Sequence, residues 1–209
     1  MSNMYDAVGG ARLFNGSNYS FTEDRFGKLN SAIAFNKGFL KVSPVFEGDF
    51  KGDFTITAWI YMQSYQLTNT YTNLIDFGEG MDSNNIVFGP VNNYIRFAVH
   101  AAHNQKILDV KSDKDLAFFI NIKQWYHVAS IFYNGMSQHG VAYIYINGTL
   151  VCSGPVSKPR NVNRTSNFIA GNNWNVSSDA IYDDIKIYKS VLSPAEIQLD
   201  MSIGSNNST

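Results

Sequence analysis

Apolar and polar side chains alternate with a period of two through most of this chain, and the longest such run falls at residues 54–62. There Phe54, Ile56, Ala58 and Ile60 alternate with Thr55, Thr57, Trp59 and Tyr61. Successive side chains of a strand point to opposite faces, so the first row reads as core and the second as an outer face that is polar but aromatic. The same split sets Ile95, Phe97 and Val99 against Tyr94, Arg96, Ala98 and His100. Such an outer face is either a ligand platform or the second side of a sheet made of good strand formers. Shorter runs of the same kind predict strands over 31–35, 39–42, 72–77, 85–88, 106–110, 126–133, 141–146, 149–153, 167–170 and 182–188. Their regular spacing, with turn residues between them, points to an all-β sandwich.

Two local signals anchor that reading. Asn147-Gly148 lies between the alternating runs Tyr145-Ile146 and Thr149-Leu150, which favours a type I′ hairpin. Ser193, Pro194 and Glu196 have the spacing of an N-cap, a first helical residue and a capping-box acid, so one short helix is expected near the C-terminus. Residues 1–30 read as loop with a weak edge strand. The length suits one domain over 1–203, with 204–209 as a flexible tail. The period-two positions predict a core of Ile56, Ala58, Ile60, Phe97, Val99, Val128, Ile144, Ile146, Ile185 and Ile187 between two antiparallel sheets.

Composition narrows the class. The net charge is −1 with acids and bases interspersed, so no basic stripe of the kind nucleic acid requires is present. No apolar run is long enough to span a bilayer, which argues against membrane insertion. The first residues lack the charged and apolar regions of a signal peptide, so export information is either trimmed or absent. Asn-x-Ser/Thr sequons start at Asn15, Asn18, Asn147, Asn163, Asn175, Asn206 and Asn207, and the hairpin position of Asn147 marks it as a turn before a glycan acceptor. The single cysteine, Cys152, has no cationic neighbour in sequence and reads as an inert packed thiol.

The candidate chemistry centres on Asp183-Asp184, adjacent carboxylates within the last strand. Paired acids at a sheet end either face water or must be held by a cation or by hydrogen bonds. Ala180-Ile181-Tyr182-Asp183-Asp184-Ile185-Lys186-Ile187-Tyr188, running into Leu192-Ser193-Pro194-Ala195-Glu196-Ile197, resembles the C-terminal signature of laminin-G-like, concanavalin A-like jelly-roll domains. Asp24-Arg25-Phe26-Gly27 with Asn30-Ser31-Ala32-Ile33-Ala34-Phe35-Asn36-Lys37-Gly38 is similar to that family's opening motif. Phe54 to Ile60, Trp125-Tyr126-His127-Val128-Ala129 and Tyr143-Ile144-Tyr145-Ile146-Asn147-Gly148 resemble its central strands. The resemblance covers roughly residues 5–200 and implies a jelly-roll fold. It also implies a structural Ca2+ between the C-terminal acid and the N-terminal turn, carried here by Asp183, Asp184, Asn36 in place of the usual Asp, and the carbonyl of Gly38, or else an ion-free hydrogen-bonded version of that site. The scaffold hosts lectins, hydrolases and adhesion modules, so it does not by itself name a function.

Hydrolysis of a glycoside needs two carboxylates across the scissile bond. The nearest pattern, Glu47-Gly48-Asp49, lacks a third acid and reads as a turn, while Asp109, Asp113 and Asp115 interleave with lysines as a solvated hairpin. His100 and His103 lack further metal ligands beside them, and His127, inside a strand, reads as a partnered structural imidazole. Sugar binding remains, since it needs an aromatic ring under the pyranose and amides or acids on its hydroxyls. Asn172, Asn173 and Trp174 form one loop with that mixture, and Asp76, Asn84 and Asn85 a second. The expectation is a non-enzymatic module that binds a glycan or surface protein on an exterior surface, as in an adhesin, spike, appendage or envelope component. The alternatives are a structural or interaction domain of a larger assembly without a small ligand, and a glycan hydrolase.

Overall fold

The computed structural model describes residues 12–44, 50–64, 72–80, 83–91, 93–100, 108–112, 120–172 and 178–203. The strands are β1 (Leu13–Thr22), β2 (Ala32–Val42), β3 (Phe54–Met62), β4 (Ile75–Gly78), β5 (Ile86–Val91), β6 (Tyr94–Val99), β7 (Leu108–Lys111), β8 (Trp125–Tyr133), β9 (Gly140–Ile146), β10 (Thr149–Val156), β11 (Ser166–Ile169) and β12 (Ser178–Tyr188). One helix, α1 (Pro194–Ser202), follows. Every pairing is antiparallel, in the order β10-β9-β8-β3-β12-β2-β11-β4-β5-β6-β7, with β1 added to β2. This is the antiparallel sandwich the strand pattern predicts and the jelly roll the resemblance implies.

Hydrogen bonding runs unbroken from one layer to the other through β2. Its first half pairs with β12, where Phe35 faces Ala180, and its second half with β11, where Leu40 faces Ile169. The bend lies at Asn36-Lys37-Gly38, read in sequence as a turn between two strands and found instead as an irregularity inside one. Lys37 has a φ of 52°, and a Cβ on Gly38 would lie 2.2 Å from the Asn18 carbonyl oxygen of β1. The close approach of β1 therefore requires glycine at 38. At the far edges β10 packs against β7, with Gly154 beside the Val110 side chain, so the sheet curls round and covers its own core.

The core lies between the layers. Ile56, Ala58, Ile60, Phe97, Val99, Val128, Ile144 and Ile146 are buried there as expected, joined by Phe35, Phe54, Phe88, Phe132 and Tyr182. Ile187 departs from the expectation: it pairs with Ile56 yet is 41% exposed. It sits beyond Tyr182, the last β12 residue paired to β2, so one flank of the strand has no neighbour there. Ile185 is only partly buried because β12 carries an extra residue between Asp183 and Lys186, with Asp184 at a φ of 48°.

A second cluster sits outside the sandwich, where α1 lies on the outer face of β8 and β9. Leu192 and Ile197 pack there on Ala129, Ile131 and Tyr145. The helix starts as read. Ser193 Oγ accepts the Glu196 N–H, Glu196 accepts the Ser193 N–H at 2.7 Å, and Pro194 fills the first turn. Thr55 and Thr57 are fully buried beneath this cover, while Trp59 and Tyr61 of the same row are half-buried.

Candidate functional site

Among the described residues, three places gather side chains with candidate chemistry. At the first, Asp183-Asp184, the carboxylates meet a cation from the chain itself. Asp24 begins a tight turn: its side chain accepts the N–H groups of Phe26 (2.8 Å) and Lys28 (2.9 Å), and Gly27 takes a φ of 79°. That turn projects Arg25 under the sheet end. Its Nη1 donates to Asp183 Oδ2 at 2.5 Å, and its Nη2 to Asp184 Oδ2 at 2.9 Å and to the carbonyl of Ile203, at the end of α1, at 2.6 Å. The guanidinium lies 4.5 Å from the Phe26 ring centre and 4.7 Å from that of Trp59. The side chains of Arg25 and Asp183 are 5% and 3% exposed. Burial pushes the Asp183 carboxyl up, the adjacent Asp184 pushes it further, and Arg25 opposes both.

This arrangement does not fit a calcium ion at Asp183. One oxygen of each carboxylate, Asp183 Oδ2 and Asp184 Oδ2, is already given to the Arg25 guanidinium. Nor does β12 bring the carried-over ligands together, since Asn36 pairs with Asp179 and Gly38 with Ser178, four and five residues up the strand from Asp183. Among the described residues no group of three or more acid, His or Cys side chains is placed to hold a metal.

The second place is a buried carboxylate beside the first, joined to it through Trp59, whose ring lies between Arg25 and His127. Asp200 of α1 accepts from Lys186 Nζ (2.8 Å) and the Tyr188 hydroxyl (2.7 Å) and contacts His127 Nε2 (3.2 Å). Burial pushes its carboxyl up, but these bonds together outweigh burial and hold it far below the usual carboxylate range. Burial and the Asp200 hydrogen bond push the Tyr188 hydroxyl up in turn. His127 is thus the partnered imidazole expected. Its backbone N–H also donates to Asn147 Oδ1 at 2.9 Å, which commits the hairpin Asn147 to the turn.

The sugar-binding loops read from sequence are placed differently from the expectation. Asp76 lies on β4 and is fully buried, with Asn85 Nδ2 donating to it at 2.6 Å. Asn84 and Asn85 are 5% and 0% exposed. Asn84 donates to Glu79 and its carbonyl accepts from the buried Arg164 Nε at 3.1 Å. These amides therefore serve an internal network. Asn172 is buried at the other end of β4, because Ile169 pairs with Ile75 while Ser166 pairs with Gly78, so the structure does not join it to Asn84 and Asn85. Asn173 and Trp174 lie outside the described residues, as do Glu47, Asp49, His103, Asp113 and Asp115. Asp109, expected in a solvated hairpin, instead pairs with Arg96 Nε at 2.9 Å.

The third place was not read from sequence. Tyr133 of β8 and Tyr143 and Tyr145 of β9 point outward beside Ile131, and with the 191–194 segment they line an open groove of about 310 Å3. The registers Ile131 to Tyr143 and Ala129 to Tyr145 put these rings on the face that α1 covers only in part. The signal that could have found it is the parity of the tyrosines in β8 and β9. Cys152 stands apart from all three places, half-buried with its thiol pushed up to about 11 by burial.

Residues 37–198 match the family model described as the concanavalin A-like lectin/glucanases superfamily, of the laminin G type. The chain belongs to that superfamily. Solved structures agree on the fold. This superfamily member resembles domain 4 of AbnA, a GH43 extracellular arabinanase from Geobacillus stearothermophilus, in complex with arabinotriose, at a TM-score of 0.66 and 16% identity over 95% of this chain and 92% of that one. It also resembles the binding domain of Paraclostridial Mosquitocidal Protein 1 (TM-score 0.69, 17% identity, 95% of this chain and 49% of that one). The botulinum neurotoxin serotype G binding domain is similar too (0.60, 18%, 94% and 48%). The chain thus spans about half the length of the toxin binding domains it matches. No curated protein matches it by sequence.

Proposed function

We propose that this domain is a non-catalytic recognition module that binds a glycan or a glycosylated partner on an exterior surface. The observation that carries the reading is the disposition of its carboxylates. Retaining and inverting hydrolysis both require one acid to protonate the leaving group and a second, unencumbered, to attack or to activate water. Among the described residues the adjacent acids Asp183 and Asp184 are both engaged by Arg25. Asp200 is buried under three partners, and Asp76 is buried against Asn85. None faces a cleft. What the surface offers instead is an uncharged aromatic groove, the chemistry of sugar recognition. The similarity to an arabinanase domain in complex with arabinotriose and to toxin binding domains supports the same reading. No helix among the described residues is long and apolar enough to cross a membrane.

A glycan array probed with the labelled chain, together with reducing-end release from the polysaccharides it retains, tests this. Binding without release is expected. Release of sugar would overturn the non-catalytic reading, and an array without hits would favour a structural domain of a larger assembly.

A further inference from the structure

The geometry points to the groove between β8, β9 and the segment entering α1 as the sugar site, built for a neutral pyranose or furanose ring that stacks on Tyr133 and Tyr143. This inference rests on the recognition reading above and narrows it to a place and a ligand class.

Tyr133 is the exposed member, 46% accessible on an otherwise buried strand. The strand end that carries it is held in place. The residue pairs with Val141, and the turn that follows is pinned where the Asn134 N–H donates to Asp53 at 2.7 Å and Lys158 Nζ donates to the Gly135 carbonyl at 3.1 Å. Gly135 has a φ of 52°, and a Cβ there would lie only 3.4 Å from the Tyr133 ring. An exposed ring carried on a paired strand end, with its turn tied down on two sides, meets a ligand without any need to order its backbone.

Tyr143 and Tyr145 form the floor, where Tyr143 is half-buried and Tyr145 is buried. Burial, and then the neighbouring Tyr143, push the Tyr145 hydroxyl up, so it stays a neutral donor at physiological pH. Ser193 Oγ accepts the Glu196 N–H at 3.3 Å, which leaves its own proton free to donate. Ring faces are thereby combined with hydroxyl donors, as the two sides of a sugar require. No lining residue is ionic. A sialylated or uronic ligand would bring a carboxylate with no counter-charge, and a neutral sugar brings none. At about 310 Å3 the groove is at the small end of ligand sites and is open along its length, which suits one or two rings of a longer chain.

The test uses the full chain on an array of neutral and acidic glycans, followed by titration of the neutral hits and of arabinotriose, cellotriose, maltotriose and sialyllactose. Tyr133→Ala removes the exposed ring, Tyr143→Phe removes one floor hydroxyl, and Val191→Arg places a long side chain into the groove from an exposed position. The hits should be neutral glycans. Tyr133→Ala and Val191→Arg should each weaken them about tenfold or more, with unfolding midpoints unchanged. Tyr143→Phe should weaken them less. If glycans bind and neither Tyr133→Ala nor Val191→Arg alters the titration, the groove is not the site and the recognition reading stands without it. Hits confined to sialylated glycans would also overturn the groove. If no glycan binds the folded chain, both readings fall. Should the chain self-associate through this face, with Tyr133→Ala dissolving the dimer, the groove is an interface between copies and not a sugar site.

Discussion

Removing the Arg25 guanidinium would take from the buried Asp183 the cation that it shares with Asp184. Breaking a buried pair from one side typically costs about 3–5 kcal/mol, and Arg25→Gln should lose an amount of that order at pH 7. The pH dependence carries a sign. Burial and Asp184 both push the Asp183 carboxyl above its unfolded value, and the loss of Arg25 removes a charge that opposes them. A carboxyl so raised takes up a proton on folding, so the deficit of Arg25→Gln should shrink as pH falls through the folded-state value. Urea denaturation at pH 7 and at pH 4.5, roughly the top of the ordinary carboxyl range, checks it, and a deficit that widens in acid would contradict the geometry. Since the chain supplies this cation itself, excess chelator should leave the thermal midpoint of the natural chain unchanged. Asp200 runs the other way. Its folded value is depressed, so its contribution is full at neutral pH and is lost as pH falls below about 4. Asp200→Asn should cost about 1–3 kcal/mol at pH 7 and progressively less in acid.

At the scale of elements, α1 is held at three points: the capping box at its start, Ile197 on the outer cluster, and Asp200 on β12 and β8. Ile197 is fully buried, and Ile197→Ala should lower stability by about 2–5 kcal/mol, with near-ultraviolet dichroism reporting the loosened tyrosines. Gly38→Ala should cost about 1–3 kcal/mol, because the new Cβ must displace the β1 backbone at Asn18 and not a yielding side chain. The two elements differ in how visible they were beforehand. The helix was legible in Ser193, Pro194 and Glu196, and β3 in its strict alternation, because both signals are local. The bend in β2 and the extra residue in β12 were not, because they turn on positive φ values at Lys37, a residue type that rarely takes one, and at Asp184, which sits inside an otherwise regular strand pattern. The acid pair was legible as a site for the same local reason. Its partner was not, since Arg25 stands 158 residues away and only the fold joins them. Asp76, Asn84 and Asn85 read as a surface loop because amides suit turns, and the buried Arg164 that donates to the Asn84 carbonyl stands 80 residues away.

The whole molecule is one curled sheet in which β12, the last strand, is not an edge. It lies between β2 and β3, bonded to both. During synthesis, therefore, β2 and β3 exist for some 120 residues of elongation with the slot between them empty. Each shows an unpaired edge of the kind that recruits other strands. The layers cannot close on their core until the final strand arrives, so folding is delayed to the end of translation and depends on contacts distant in sequence. A chain stopped at residue 177 should collect in the insoluble fraction, although it retains most of the core residues. A separately supplied peptide spanning 178–203 should return part of it to solution by entering the slot.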